Sequence, residues 1–229
     1  MPSHPRSEDA GQQPIFARAV DVDVKSADMH RDGQETFMPD KNPAALDFLL
    51  TRRSRPAKTL TGPVPDREEL IPILTAAART PDHGKLEPWR FIVLGKPALT
   101  RLADAVGPRG AALGIEPDKI EKSYRQFADA DLAVAVVYSP VESPKVPEVE
   151  QRYSAGAVCL SLLNAALAAG WGANWLSGWP SHDAEFVQSG LGLAAHESIA
   201  GFIHIGTETS APPDRPRPDL SNIVAWVDA

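Results

Sequence analysis

Residues 132–138 read Leu-Ala-Val-Ala-Val-Val-Tyr, an unbroken apolar run that constrains the fold more than any other stretch of the chain. A strand with one wet face alternates apolar and polar residues. A run without alternation, rich in β-branched side chains, reads as a strand covered on both faces. It is therefore predicted to lie centrally in a sheet. Ile199–Ile205 supplies a further strand and Phe91–Leu94 a short one.

Helical patterns are interleaved with these strands. Asn42 can cap a helix with Pro43 in its first turn and an apolar face of Leu46, Leu49 and Leu50. That helix delivers Arg52-Arg53-Ser54 at its end. Asp66 and Glu69 have capping-box spacing, and Leu70, Ile73, Leu74, Ala77 and Ala78 recur at helical intervals up to Arg79, with Pro81 as the stop. Pro97–Val106 reads as an amphipathic helix, and Ile120, Tyr124 and Phe127 as the buried face of another. From Pro147 to Ala169 an Ala- and Leu-rich segment without internal proline runs to Gly170, a glycine C-cap. It is apolar nearly all round, which implies burial, including burial between subunits.

A chain of 229 residues suits one domain, or a subunit that completes its core in an oligomer. Residues 1–40 mix Pro, Gln, Asp, His, Gly and Ser without periodicity and are expected to form a flexible arm, with residues 41–229 as the folded domain. Lys plus Arg number 23 against 30 Asp plus Glu, a net charge of −7, so a footprint for nucleic acid is missing. With no run of about 18 apolar residues and a polar N-terminus, a membrane span and a signal peptide are not expected, and the chain reads as cytoplasmic. Cys159 is the one cysteine, which excludes a disulfide framework and a cysteine-built metal site. Within Ala157-Val158-Cys159-Leu160 it reads as a buried structural thiol. The six histidines lack H-x-x-x-H spacing, and there is no G-x-G-x-x-G after a strand, no P-loop and no G-x-S-x-G elbow. No metal site and no side-chain nucleophile are predicted.

Two basic clusters stand out in this acidic chain: Arg52-Arg53-Ser54 and Arg-Pro-Arg-Pro-Asp-Leu at 215–220. Arginines at a helix end can simply bond its last carbonyls. Guanidinium forks at both ends of a domain also match a phosphate. Between them lie A-A-R-T-P-D-H-G-K-L-E-P-W-R-F at 77–91 and Gly-Trp-Gly-Ala-Asn-Trp-Leu-Ser-Gly at 170–178.

These four motifs, in this order over roughly residues 42–227, resemble the nitroreductase family of FMN-dependent oxidoreductases. The likeness is to the small-subunit branch with the P-D-H-x-x-x-x-P-W-R/H-F signature. The resemblance implies an α+β fold with a central mixed, mainly antiparallel sheet flanked by helices. It also implies an intertwined homodimer with FMN sites at the subunit interface. It puts Arg52, Ser54, Arg215 and Arg217 at the FMN phosphate and ribityl chain, and Arg53 at the pyrimidine edge. Arg79 and His83 would reach the flavin of the other subunit. Trp175, Leu176, Ser177 and Gly178 would run along the isoalloxazine ring.

The implied reaction is ping-pong. NADH or NADPH reduces FMN, and an electron-poor acceptor such as a nitroaromatic or a quinone then takes hydride from flavin N5 on the same ring face. Two other readings stay open: a non-enzymatic FMN-binding or storage protein, and a relative that uses reduced flavin with oxygen or for reductive dehalogenation.

Overall fold

Five strands build the sheet: β1 (Leu60–Thr61), β2 (Trp89–Gly95), β3 (Leu132–Tyr138), β4 (Gly172–Leu176) and β5 (Ser198–Glu208). In the computed structural model, which describes residues 39–227, they run in the order β1-β5-β3-β2, with β4 also paired to β5. Every pairing among the described residues is antiparallel. All seven residues of β3 are buried, as the unbroken apolar run requires.

Alternation along the central strands sorts side chains into two cores. Val134 and Val136 of β3 and Ile203 and Ile205 of β5 face α2 (Arg67–Ala77) and α5 (Glu148–Ala168). On the other face, Ala133, Ala135, Val137 and Phe202 meet α3 (Lys96–Ala112), α4 (Pro117–Ala128) and α7 (Ala184–Leu191). The α+β architecture is thus a single sheet with helices on both sides.

Local signals act as expected at several helix ends. Asp66 accepts from the Glu69 N–H at 2.9 Å and Glu69 returns a bond to the Asp66 N–H at 3.0 Å, closing the capping box of α2. α5 ends at Ala168, and Gly170 follows with φ +89°, a conformation glycine adopts at little cost. Helix α3 runs six residues past Val106 despite Pro108, because its last turns pack on α4. A Cβ on Gly110 would stand 2.7 Å from Ile120. Tertiary packing here overrides weak local propensity.

The structure corrects one sequence expectation and adds detail to two others. Tyr124 is exposed, and α4 buries Ser123 and Phe127 in place of a full Ile120-Tyr124-Phe127 face. Among the described residues, α1 (Pro43–Thr51) has no fully buried side chain; Phe48 is half-buried, and Leu46, Leu49 and Leu50 of its apolar face are exposed, Leu50 with 71% of its surface. α5 is buried on one side only, since Val149, Tyr153 and Leu160 form an exposed stripe along it. The arm expected over residues 1–40 lies, up to residue 38, outside the described residues.

Two further elements follow β4. α6 (Trp179–His182) leads into α7, whose N-cap Asp183 accepts from the Phe186 N–H at 2.8 Å. Arg109 of α3 grips the same carboxylate at 2.7 and 2.8 Å, which ties α3 to the segment leaving β4.

Candidate cofactor site

The last turn of α1 closes with the Arg52 N–H donating to Phe48 O at 2.7 Å, and the chain then straightens alongside β4. The Arg55 N–H donates to Ala173 O at 2.8 Å, and Asn174 Nδ2 donates to Arg55 O. These two bonds fix Arg52-Arg53-Ser54 against the strand that carries Trp175 and Leu176. Arg52 Nη2 donates to Ser54 Oγ at 3.1 Å.

From the far end of the chain, Arg217 joins this cluster. Burial pushes the Arg52 guanidinium below its ordinary pKa, and the positive charges of Arg217 and Arg55 add to the effect. Asp214 accepts from Arg217 Nη2 at 3.2 Å. Its carboxyl is held low first by the Arg215 N–H and further by the charges of Arg217 and Arg53. Arg55 pairs with Glu208 at 3.3 Å. Asp214 is thus close to Arg53 and Arg217, and Arg217 in turn to Arg52, a cluster with more positive than negative charge.

Among the described residues, two donors of this cluster have no partner. Arg52 Nε and Arg53 Nη1 are buried without a hydrogen-bond partner. An unpaired buried donor of this kind costs about 1–3 kcal/mol, more when charged, so the arrangement is complementary to an anion with several acceptor oxygens. Arg217, not Arg215, is the C-terminal arginine that acts on Arg52; among the described residues Arg215 is engaged through its backbone N–H, which donates to Asp214 Oδ1 at 2.8 Å.

Within β4, Trp175 lays its indole over Gly201 of β5, where an added Cβ would be 2.0 Å from Nε1. Leu176 and Ser177 line a cavity of about 530 Å³ together with His204 and residues of α4. Gly178 has φ 164° and is extended, and a Cβ there would meet only Pro180 Cδ at 3.6 Å, so neither the backbone nor the chain's own packing demands glycine.

Arg79 and His83 lie on a loop anchored to α5. Thr80 Oγ1 donates to Ser161 Oγ at 2.8 Å, Ser154 Oγ to Pro81 O at 2.9 Å, and Trp89 Nε1 to Ser154 Oγ at 3.2 Å. Within the loop Gly84, Lys85 and Glu87 all have positive φ, an uncommon conformation for the last two. Asp82 Oδ2 braces it by accepting from the Glu87 N–H at 2.6 Å. His83 Nδ1 is 2.6 Å from Glu150 Oε2, and both Arg79 and His83 are exposed. No described hydrogen bond or ion pair joins either to Arg52, Arg53 or Ser54 within one chain.

Sequence reading missed Asp214, Gly201 and His204. Asp214 sits inside the Pro-Arg run, where its carboxylate could have been paired with Arg217 by proximity. For the other two, no local pattern marks the role. Cys159 is fully buried and its thiol is pushed up to about 12 by desolvation, which removes it as a nucleophile at neutral pH.

A sequence profile of the Nitroreductase family matches residues 49–207. YdjA of Escherichia coli (strain K12), assigned by name to the NAD(P)H nitroreductases, is 34% identical over 163 residues, covering 71% of this chain and 87% of its own. Among solved structures, a nitroreductase-like family protein from Bacillus cereus superposes with a TM-score of 0.68 at 23% identity, covering 84% of this chain and 100% of its own. The FMN and NADPH-dependent nitroreductase NfnB from Sphigopyxis sp. strain HMH superposes with a TM-score of 0.63 at 20% identity, covering 80% and 98%. At these identities the two structures speak to the fold.

Proposed function

The chain belongs to the nitroreductase family, and we propose that it is an FMN-dependent oxidoreductase that draws electrons from NADH or NADPH. The observation that carries the proposal is the pair of buried, unpartnered donors, Arg52 Nε and Arg53 Nη1, in a cleft completed by Arg217. A phosphate monoester supplies the charge and the acceptor oxygens these groups lack. NfnB, an FMN and NADPH-dependent nitroreductase, supports this cofactor and donor, and YdjA, an NAD(P)H nitroreductase by name, supports the donor.

Each residue has a role in this reading. Arg52, Ser54 and Arg217 hold the phosphate and ribityl chain, while Arg215 lies at the margin. Arg53 offers a cation to the pyrimidine edge, where negative charge collects on reduction. Trp175, Leu176, Ser177 and Gly178 form the wall along the ring; at Gly178 the missing side chain leaves room for close approach from outside the chain. Bound flavin supplies a two-electron carrier that accepts hydride from the nicotinamide and delivers it from N5 to an electron-poor acceptor, such as a nitroaromatic or a quinone, in ping-pong order.

The proposed assembly is a homodimer. Leu46, Leu49 and Leu50 of α1 and Val149, Tyr153 and Leu160 of α5 are outward-facing apolar residues on two helices, more than a soluble monomer normally leaves bare. Pairing these faces buries them and lets the exposed Arg79 and His83 of one subunit reach the cofactor of the other. Anaerobic mixing of the FMN-loaded protein with NADH or NADPH tests the function. Loss of the flavin absorbance, followed by its return on adding a nitroaromatic or a quinone, is the expected result. A flavin that stays oxidised refutes the reductase reading and leaves FMN binding alone.

A further inference from the structure

One row of side chains on α5 holds the loop that carries His83. Ser161 meets Thr80, Ser154 meets Pro81 and Glu150 meets His83, so the loop runs antiparallel to the helix, with its anchors one or two helical turns apart. Beside each anchor in sequence stands a residue of the exposed apolar stripe: Leu160, Tyr153 and Val149. The helix thus grips its own loop with one row and presents the adjacent row outward. Within the loop, Lys85 with φ +56° and Glu87 with φ +48° occupy the left-handed region, which such side chains keep only where surrounding structure imposes it. Asp82 imposes it from inside through the Glu87 N–H, and α5 from outside.

We infer that Glu150 is a positioning residue, which fixes the ring orientation and the tautomer of His83 for its contact with the cofactor of the other subunit. The inference rests on the shared-site reading above and adds a residue to it. His83 Nδ1 lies 2.6 Å from Glu150 Oε2. A carboxylate only accepts, so Nδ1 carries the proton, and Nε2 is the atom left to meet a ligand. The His83 and Glu150 side chains stay 61% and 44% exposed, so in the single chain their pairing adds little stability. Its consequence is orientational. A ring held at one nitrogen, on a backbone pinned to the same helix, has less rotamer freedom left to lose when the cofactor binds.

Two measurements on the full chain test this. Long-range proton–nitrogen NMR correlation of the imidazole rings, at about pH 8 where free imidazole is neutral, reads which nitrogen of His83 is protonated. Without FMN, the wild type should show Nδ1 protonated, Glu150→Ala should bring in the Nε2–H form, and Glu150→Gln, whose amide oxygen still accepts, should keep the wild-type pattern. Fluorescence titration then reads FMN affinity. His83→Ala and Glu150→Ala should each raise Kd by roughly two- to tenfold, and Glu150→Gln should stay within about twofold of wild type. The double variant His83→Ala/Glu150→Ala should bind no worse than His83→Ala alone, the signature of one residue acting through the other. An unchanged tautomer in Glu150→Ala, no restoration by Glu150→Gln, or additive losses in the double variant each overturns the inference while leaving the shared site standing. A His83→Ala protein that holds FMN as tightly as wild type overturns the shared contact, and the inference with it.

Discussion

The indole of Trp175 rests on Gly201 so closely that a methyl group there would stand 2.0 Å from Nε1 and 2.6 Å from Cδ1. Glycine on β5 is thus what lets the tryptophan of β4 lie down on the sheet. Gly201→Ala should push the indole outward and destabilise the fold by about 1–3 kcal/mol, the usual range for overpacking. Thermal melts and a shift in tryptophan fluorescence check this; an unchanged Tm would mean that the indole is free to leave Gly201 at no cost.

Removing one charged donor from the proposed phosphate site should cost about 1.5–3 kcal/mol of FMN binding, or roughly ten- to a hundredfold in Kd. Arg52→Ala and Arg217→Ala are both expected to fall in that range. Arg215→Ala should change Kd by less than about threefold, since the structure engages only its backbone. Fluorescence titration with FMN distinguishes the two arginines.

Two groups should make stability fall in acid, over different windows. Glu197 is held down at about 2, first by its hydrogen bonds from Arg90 at 2.7 and 2.6 Å, against an ordinary value of 4.5. Its folded pKa lies below the unfolded one, so its stabilisation is complete above about 4.5 and lost as the pH falls towards 2. His204 is lowered from 6.5 to about 4 by burial. Folding must exclude its proton between those values, so stability also declines as the pH drops from 6.5 to 4. Tm measured against pH should lose its lower slope in Glu197→Gln and its upper slope in His204→Phe.

Breaking the uncovered apolar stripe should dissociate the assembly. Leu160→Glu leaves the single-chain core untouched, because Leu160 is exposed there, yet it would bury a charge at the proposed subunit contact. Sedimentation should show a monomer, with FMN affinity lost alongside it. A monomeric wild type that still holds FMN tightly would overturn the shared-site reading.

Cys159 should resist thiol reagents in the native state and react only on unfolding, because desolvation keeps it protonated. Cys159→Ser should leave turnover essentially unchanged. Any burst of covalent product in the wild type, absent from the variant, would contradict this.

The elements that sequence fixed well are those whose signal is local or periodic. Leu132–Tyr138 could only be an interior strand. The Asp66–Glu69 box and Gly170 set the ends of α2 and α5 through hydrogen bonds and backbone conformation contained within a few residues. Arg52-Arg53-Ser54 and the Arg-Pro-Arg run stood out as two short basic clusters in a chain of net charge −7. By contrast, the reach of α3 past Pro108 depended on Ile120 packing against Gly110, and the exposure of Tyr124 on how α4 rolls against α3. Neither is written in periodicity.

The sequence by itself thus determined which segments form strands and helices, and where arginines cluster as candidates for a phosphate. These follow from side-chain alternation, capping chemistry and the donor geometry of arginine, all short-range properties. Tertiary structure alone decided that Arg217 comes near Arg52 across 165 residues of chain, that Trp175 lies on Gly201, and that His204 is buried with a nitrogen unpaired. Those relations arise from the register of β4 and β5 and from the return of the C-terminal segment past α1. Register and return are set by the summed packing of two cores on one sheet, which no short stretch of residues contains.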